Sequence, residues 1–77
     1  MRIKLTADDQ KLIDRVAERV KQFRNELGIS QDELALRADT TKSQIYRIEH
    51  GQLNSSIATL GRLAKALGVE VKDLFLN

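Results

Sequence analysis

Lys42, Ser43, Tyr46 and Arg47 are the side chains of this sequence best suited to recognition chemistry. Lysine and arginine donate to guanine O6 and N7, arginine in bidentate form, and serine can bond either kind of base edge. Tyrosine can bond a phosphate or pack on a thymine methyl. On a helix, the spacing of these four puts them on one side, with Ile45 and Ile48 opposite. Reading DNA demands such a helix: donors outward near its N-terminus, an apolar face locking it to a scaffold, and a partner helix meeting phosphates. The phosphate donors expected here are Ser30, Gln31 and the first-turn amides of the preceding helix, then His50, Gln52 and Asn54 beyond the second.

Each of these residues also has a plainer reading. Lys42 can be a solvated lysine and Arg47 a surface ion-pair partner. Tyr46 can pack at a helix junction. His50 can cap the C-terminus of its helix, where the dipole favours a cation. Asn54 can cap the next helix or close a turn. Arg24 and Glu49 both fall where the first and third helices should meet, and we expect them to pair there and orient the third helix.

The elements that must position these groups are helical throughout. Proline is absent, aromatics are scarce, and apolar residues recur at i, i+3, i+4. Gly28, Gly51 and Gly68 each follow a periodic run, as helix-ending residues do. Thr6 with Asp9, Ser30 with Glu33, and Thr41 with Gln44 read as capping boxes. The pattern predicts five helices, at about residues 7–27, 31–38, 42–50, 57–67 and 71–76. Their buried faces are Leu12, Ile13, Val16, Val20, Phe23 and Leu27; Leu34, Ala35 and Ala38; Ile45 and Ile48; Ile57, Leu60, Leu63, Ala64 and Leu67; then Leu74 and Phe75. Gly61 inside the fourth helix marks either a close helix–helix approach or simple tolerance of a poor helix former. Residues 1–6 form an N-terminal arm, and residues 7–77 one domain. The arm is a frayed tail, an edge strand, or a minor-groove tether through Arg2 and Lys4.

Composition narrows the function classes. At 77 residues there is room for one small domain and none for a separate small-molecule ligand domain. With no cysteine and one histidine, neither a thiolate nor a two-histidine metal site is expected, and no cofactor. No glycine-rich phosphate loop and no inward carboxylate pair suggests an enzyme. No apolar run approaches the ~20 residues of a membrane span, so a cytoplasmic, nucleoid-associated protein of a bacterium or phage is expected. The net charge of +2 says little, but residues 42–65 hold four basic residues and one acid, Glu49. Asp8, Asp9, Asp32 and Glu33 sit at helix starts, where the dipole accounts for them.

Three phrases, VKQFRNELGISQDELA, TTKSQIYRIEHGQLN and LGRLAKALGVEVKDLF, together resemble the Cro/cI-type (XRE) helix-turn-helix family of phage repressors and bacterial regulators. The resemblance covers roughly residues 13–76. It implies an all-α, compact five-helix, lambda-repressor-like domain whose helices 2 and 3 form the DNA-reading unit. It places Thr41, Lys42, Ser43, Tyr46 and Arg47 at base-facing positions, Gln31 against phosphate, and Arg24 with Glu49 as a buried ion pair. This chain departs from the pattern at Asp39, where glycine is frequent, at Ser55, where proline is, and at Glu70, in place of a serine-like cap. The expected function is a transcriptional regulator binding double-stranded DNA as a homodimer on a two-fold symmetric operator. Helix 5, Phe75 and Leu76 are the candidate dimer surface. The alternative is an antitoxin-type interaction module that binds DNA only with a partner protein.

Overall fold

The computed structural model describes residues 4–52 and 54–76, which form four α-helices and one 3-10 helix, with no strand among them. Arg2 and its expected part in the arm lie outside the described residues. Helix α1 (Ala7–Leu27) opens with a reciprocal cap: Thr6 Oγ1 accepts from the Asp9 amide at 3.1 Å, and Asp9 Oδ2 accepts from the Thr6 amide at 2.8 Å. Ser30 and Thr41 start α2 (Gln31–Arg37) and α3 (Lys42–Glu49) with only the first half of that arrangement. Their reciprocal partners are engaged elsewhere, since the Glu33 carboxylate meets Arg37 at 2.9 Å and the Gln44 side chain meets Thr40. Ser56 caps α4 (Ile57–Leu67) through the Thr59 amide at 3.1 Å. Each such cap satisfies an amide that the helix itself leaves without a partner, worth about 1 kcal/mol.

The fifth expected α-helix is instead a 3-10 helix, Val71–Phe75. Its Asp73 amide bonds the Glu70 carbonyl at 2.9 Å, an i to i+3 closure. Five residues are too few to repay the nucleation of an α-helix, whereas a tight turn suffices to bury Leu74. Helices 2 and 3 also end one residue earlier than the sequence pattern predicts, with Ala38 and His50 as C-caps.

The core takes one fully buried side chain from every element: Val20, Leu34, Ile45, Leu63 and Leu74. Each contributes on the order of 1.5–3 kcal/mol through removal from water. Helix α1 packs on α3, α4 and the 3-10 helix, while α2 packs on α3 and α4. Val16, Ala17 and Val20 of α1 are buried, but Leu12 and Leu27, at the two ends of the expected stripe, are each 47% exposed. The buried residues of this 21-residue helix all lie in its middle turns. Ile57, expected in the core, is 83% exposed: it is the first residue after the Ser56 cap, and the buried face of α4 begins one turn later at Leu60.

A cavity of about 90 Å³ lies between α1, Ile48, Leu60 and Phe75, with Asn54 and Ser55 in its wall. The Ser55 hydroxyl is buried there without a hydrogen-bond partner among the described residues.

A Cβ on Gly61 would meet nothing within 4 Å, so close helix approach does not explain this glycine. Gly61→Ala is therefore expected to raise stability by about 1 kcal/mol in urea unfolding, because alanine is the better helix former. Leu63→Ala, by contrast, should lower it by about 2–5 kcal/mol through the cavity it opens.

Candidate nucleic-acid interface

The turn between α2 and α3 depends on one residue in an uncommon conformation. Asp39 has φ 54°, the left-handed region that glycine usually occupies and that aspartate tolerates better than most residues. The turn is closed by the Asp39 amide on Leu36 O at 3.3 Å and the Thr40 amide on Ala35 O at 2.9 Å. Thr41 then caps α3, which turns Ile45, Ile48 and Glu49 inward and leaves Thr41, Lys42, Ser43, Gln44, Tyr46, Arg47 and His50 exposed.

Glu49 sets the orientation of α3. It is only 2% exposed, and Arg24 of α1 grips both its oxygens, Nε to Oε2 at 2.6 Å and Nη2 to Oε1 at 3.0 Å. The remaining Arg24 nitrogen donates to the Ile29 carbonyl at 2.8 Å, which ties the α1–α2 connection into the same junction. The hydrogen bond that Arg24 donates to Glu49 raises the Arg24 pKa above its ordinary value; burial opposes this and the carboxylate charge adds to it. Gln31 completes the cluster by donating Nε2 to Glu49 Oε1 at 3.2 Å. An amide nitrogen carries two hydrogens, so Gln31 keeps one for a ligand.

The turn just after α3 is held separately. Gly51 adopts φ 67°, and its carbonyl accepts from Gln10 Nε2 at 2.9 Å, while Gln10 also bonds Asp14 at 2.9 Å. A Cβ on Gly51 would come within 2.4 Å of Asp14 Oδ1. By sequence alone Gly51 is only a helix stop. The contact with α1 lies 41 positions away and leaves no local signal.

The remaining expected residues are placed as follows. Lys42 lies 3.6 Å from Asp32 with both side chains largely exposed, a pair worth at most about 1 kcal/mol and easily exchanged for another anion. Arg47 has no ion pair or side-chain hydrogen bond among the described residues. Tyr46 stacks on His50, ring centroids 3.8 Å apart at 21°, and stays 46% exposed. His50 is the C-cap of α3, with Nδ1 2.8 Å from the Tyr46 carbonyl, so that nitrogen carries the proton. Ser30 is occupied as the α2 cap, and Gln52 follows α3 with its amide on Arg47 O at 2.8 Å. Asn54 does not cap α4, a role Ser56 takes. Gln44, expected only as a capping partner, is an exposed amide in the first turn of α3, beside the residues expected to face bases.

A short capped helix that exposes donors on one side and is anchored by a buried ion pair on the other defines this molecule as a helix-turn-helix protein. A family model described as helix-turn-helix matches residues 20–74. The chain belongs to this XRE-type helix-turn-helix family of transcriptional regulators. It is 38% identical over 58 residues to an uncharacterised HTH-type transcriptional regulator of Methanothermobacter thermautotrophicus, which covers 74% of this chain and 84% of the relative. It is also 38% identical over 58 residues to the control protein C.BamHI of Bacillus amyloliquefaciens, covering 74% of this chain and 72% of the relative. The crystal structure of the restriction-modification controller protein C.AhdI from Aeromonas hydrophila superimposes with a TM-score of 0.80 at 32% identity, covering 82% of this chain and 96% of that one.

Glu49→Gln keeps the shape of the side chain and removes its charge. It is expected to lower stability by about 1–3 kcal/mol in urea unfolding and to weaken DNA binding as well. An unchanged unfolding midpoint together with unchanged affinity would remove the ion pair from its orienting role.

Proposed function

We propose that this protein is a sequence-specific transcriptional regulator that binds a two-fold symmetric operator as a homodimer. The observation that carries this reading is the division of α3 into a buried half and an exposed half. Ile45, Ile48 and Glu49 fix the helix, and Thr41, Lys42, Ser43, Tyr46 and Arg47 occupy the face that would enter a major groove. In this reading Arg47 and Lys42 select guanine, Ser43 and Thr41 bond neighbouring base edges, and Tyr46 meets a phosphate or a thymine methyl. Gln31, aided by Ser30, holds a phosphate with its second amide hydrogen, and His50, Gln52 and Asn54 extend the backbone contacts beyond α3.

Pairing of two copies doubles the readout, with half-site centres about 34 Å apart. Leu76, 53% exposed, beside the half-buried Phe75, is the surface assigned to that pairing. The control-protein and controller relatives support a regulatory role, as does a core that each helix closes without a partner protein. The DNA it serves places its work in the cytoplasm.

Selection of sites from a random duplex library at two salt concentrations tests this reading. An enriched inverted repeat with half-sites one helical turn apart is expected; weak, sequence-indifferent binding abolished by salt would overturn it. Arg47→Ala should erase preference at one base pair at a cost of about 1–3 kcal/mol, while Gln31→Ala should weaken binding to every duplex about equally.

A further inference from the structure

We propose that this protein takes up a proton when it binds DNA and that His50 receives it, so that its hold on the phosphate backbone strengthens as pH falls. His50 is the one histidine of the chain. It caps the C-terminus of α3 with its ring exposed, and Nδ1 lies 2.8 Å from the Tyr46 carbonyl. A carbonyl oxygen only accepts, so Nδ1 donates, and the neutral ring carries its single proton there. The other tautomer would set a nitrogen lone pair against those of the carbonyl. Stacking on Tyr46, with ring centroids 3.8 Å apart, holds the ring in this orientation. Nε2 has no hydrogen-bond partner among the described residues, and in the neutral ring it is an acceptor.

Phosphate oxygens also only accept, so neutral His50 has no hydrogen to give them. One added proton supplies both things the contact needs. Nε2 becomes a donor and the ring a cation, while Nδ1 keeps its bond to the Tyr46 carbonyl. The charged groups around the ring are engaged with one another. α1 presents Asp14, Glu18 and Lys21 to this end of α3; Asp14 accepts from Gln10 at 2.9 Å, and Glu18 pairs with Lys21 at 3.6 Å. On α3 itself Glu49 is matched by Arg24, and Arg47, one turn before His50, is a like charge. A phosphate would bring negative charge to Arg47 and Nε2 together. The complex then holds the proton more tightly than the free protein does. Affinity therefore rises as pH falls, and levels off once the free protein is protonated as well. Gln31, Gln52 and Asn54 donate at every pH. His50 alone makes part of the backbone contact conditional, in the range where histidine changes charge.

This inference rests on the DNA-binding function proposed above, and the two can fail separately. The experiment is titration of the full chain, at constant ionic strength between about pH 6 and pH 8, onto the duplex enriched by site selection and onto a scrambled duplex. His50→Gln and His50→Lys are measured beside it, each checked for a folded state by its thermal unfolding midpoint. The original chain is expected to bind about five- to tenfold more tightly per half-site at the lower pH. The gain should be alike on both duplexes, because a phosphate carries no sequence. His50→Gln donates but does not titrate, and its affinity should be level across the range. His50→Lys, charged throughout, should also be level, at the tighter value. With one histidine in the chain, NMR of the ring nitrogens reads the proton directly, and both nitrogens should be protonated in the complex at neutral pH. An original chain that enriches no duplex and binds none at any pH overturns both readings. Sequence-specific binding that ignores pH, a pH dependence that persists in His50→Gln, or a ring that stays neutral in the complex overturns this one alone.

Discussion

The buried pair between Arg24 and Glu49 is the interaction on which the rest of the molecule turns. A carboxylate 2% exposed is unfavourable in this core unless its charge is matched and its lone pairs are occupied. Arg24 supplies both, in the bidentate geometry that guanidinium and carboxylate share. Because Arg24 belongs to α1 and Glu49 to α3, satisfying this one charge fixes the rotation of α3 about its own axis. The same two residues reach the α1–α2 connection through the Ile29 carbonyl and the start of α2 through Gln31. Hydrophobic packing brings the helices together but is indifferent to small rotations; the ion pair is directional. Such a pair is better suited to setting geometry than to adding stability.

The entry to and exit from α3 are governed by backbone conformation. Asp39 and Gly51 bracket the helix at φ 54° and 67°, so the chain reverses sharply on entry and on exit. Eight residues are too short to be a stable helix in isolation. α3 exists because its cap, its two isoleucines, Glu49 and the Gln10–Gly51 hydrogen bond hold it from four directions. An element held in this way can leave its outer side chains unengaged, as a binding surface requires.

Much of this was legible in the sequence. The start of α1 and the ends of α1 and α4 followed from Thr6, Gly28 and Gly68 together with periodic leucines and valines, signals that act within one turn. The Arg24–Glu49 pair was legible because both residues interrupt an otherwise apolar seam. Three features escaped for identifiable reasons. The last helix was read by apolar spacing, which does not separate an α turn from a 3-10 turn over five residues. Ile57 was assigned inward by its type, although a position directly after a cap has no neighbouring turn to pack beneath. Gln44 was read through its backbone partner, and only the geometry of the turn shows its side chain meeting Thr40. Contacts of the exposed face of α3 with bases, as proposed, would belong to a complex with DNA, and no intramolecular periodicity encodes them.

The separation of the two faces of α3 bears on how this domain can diversify. The residues that hold the helix are buried, and those that would choose a sequence are exposed and share few partners with the core. Substitutions on surfaces of that kind change free energy little, and those far enough apart to share no contact combine additively. If α3 reads DNA as proposed, a lineage could therefore rewrite its target vocabulary at positions 42, 43 and 47 while the scaffold remains under unchanged constraint. Duplicated copies can diverge in address without passing through an unfolded ancestor.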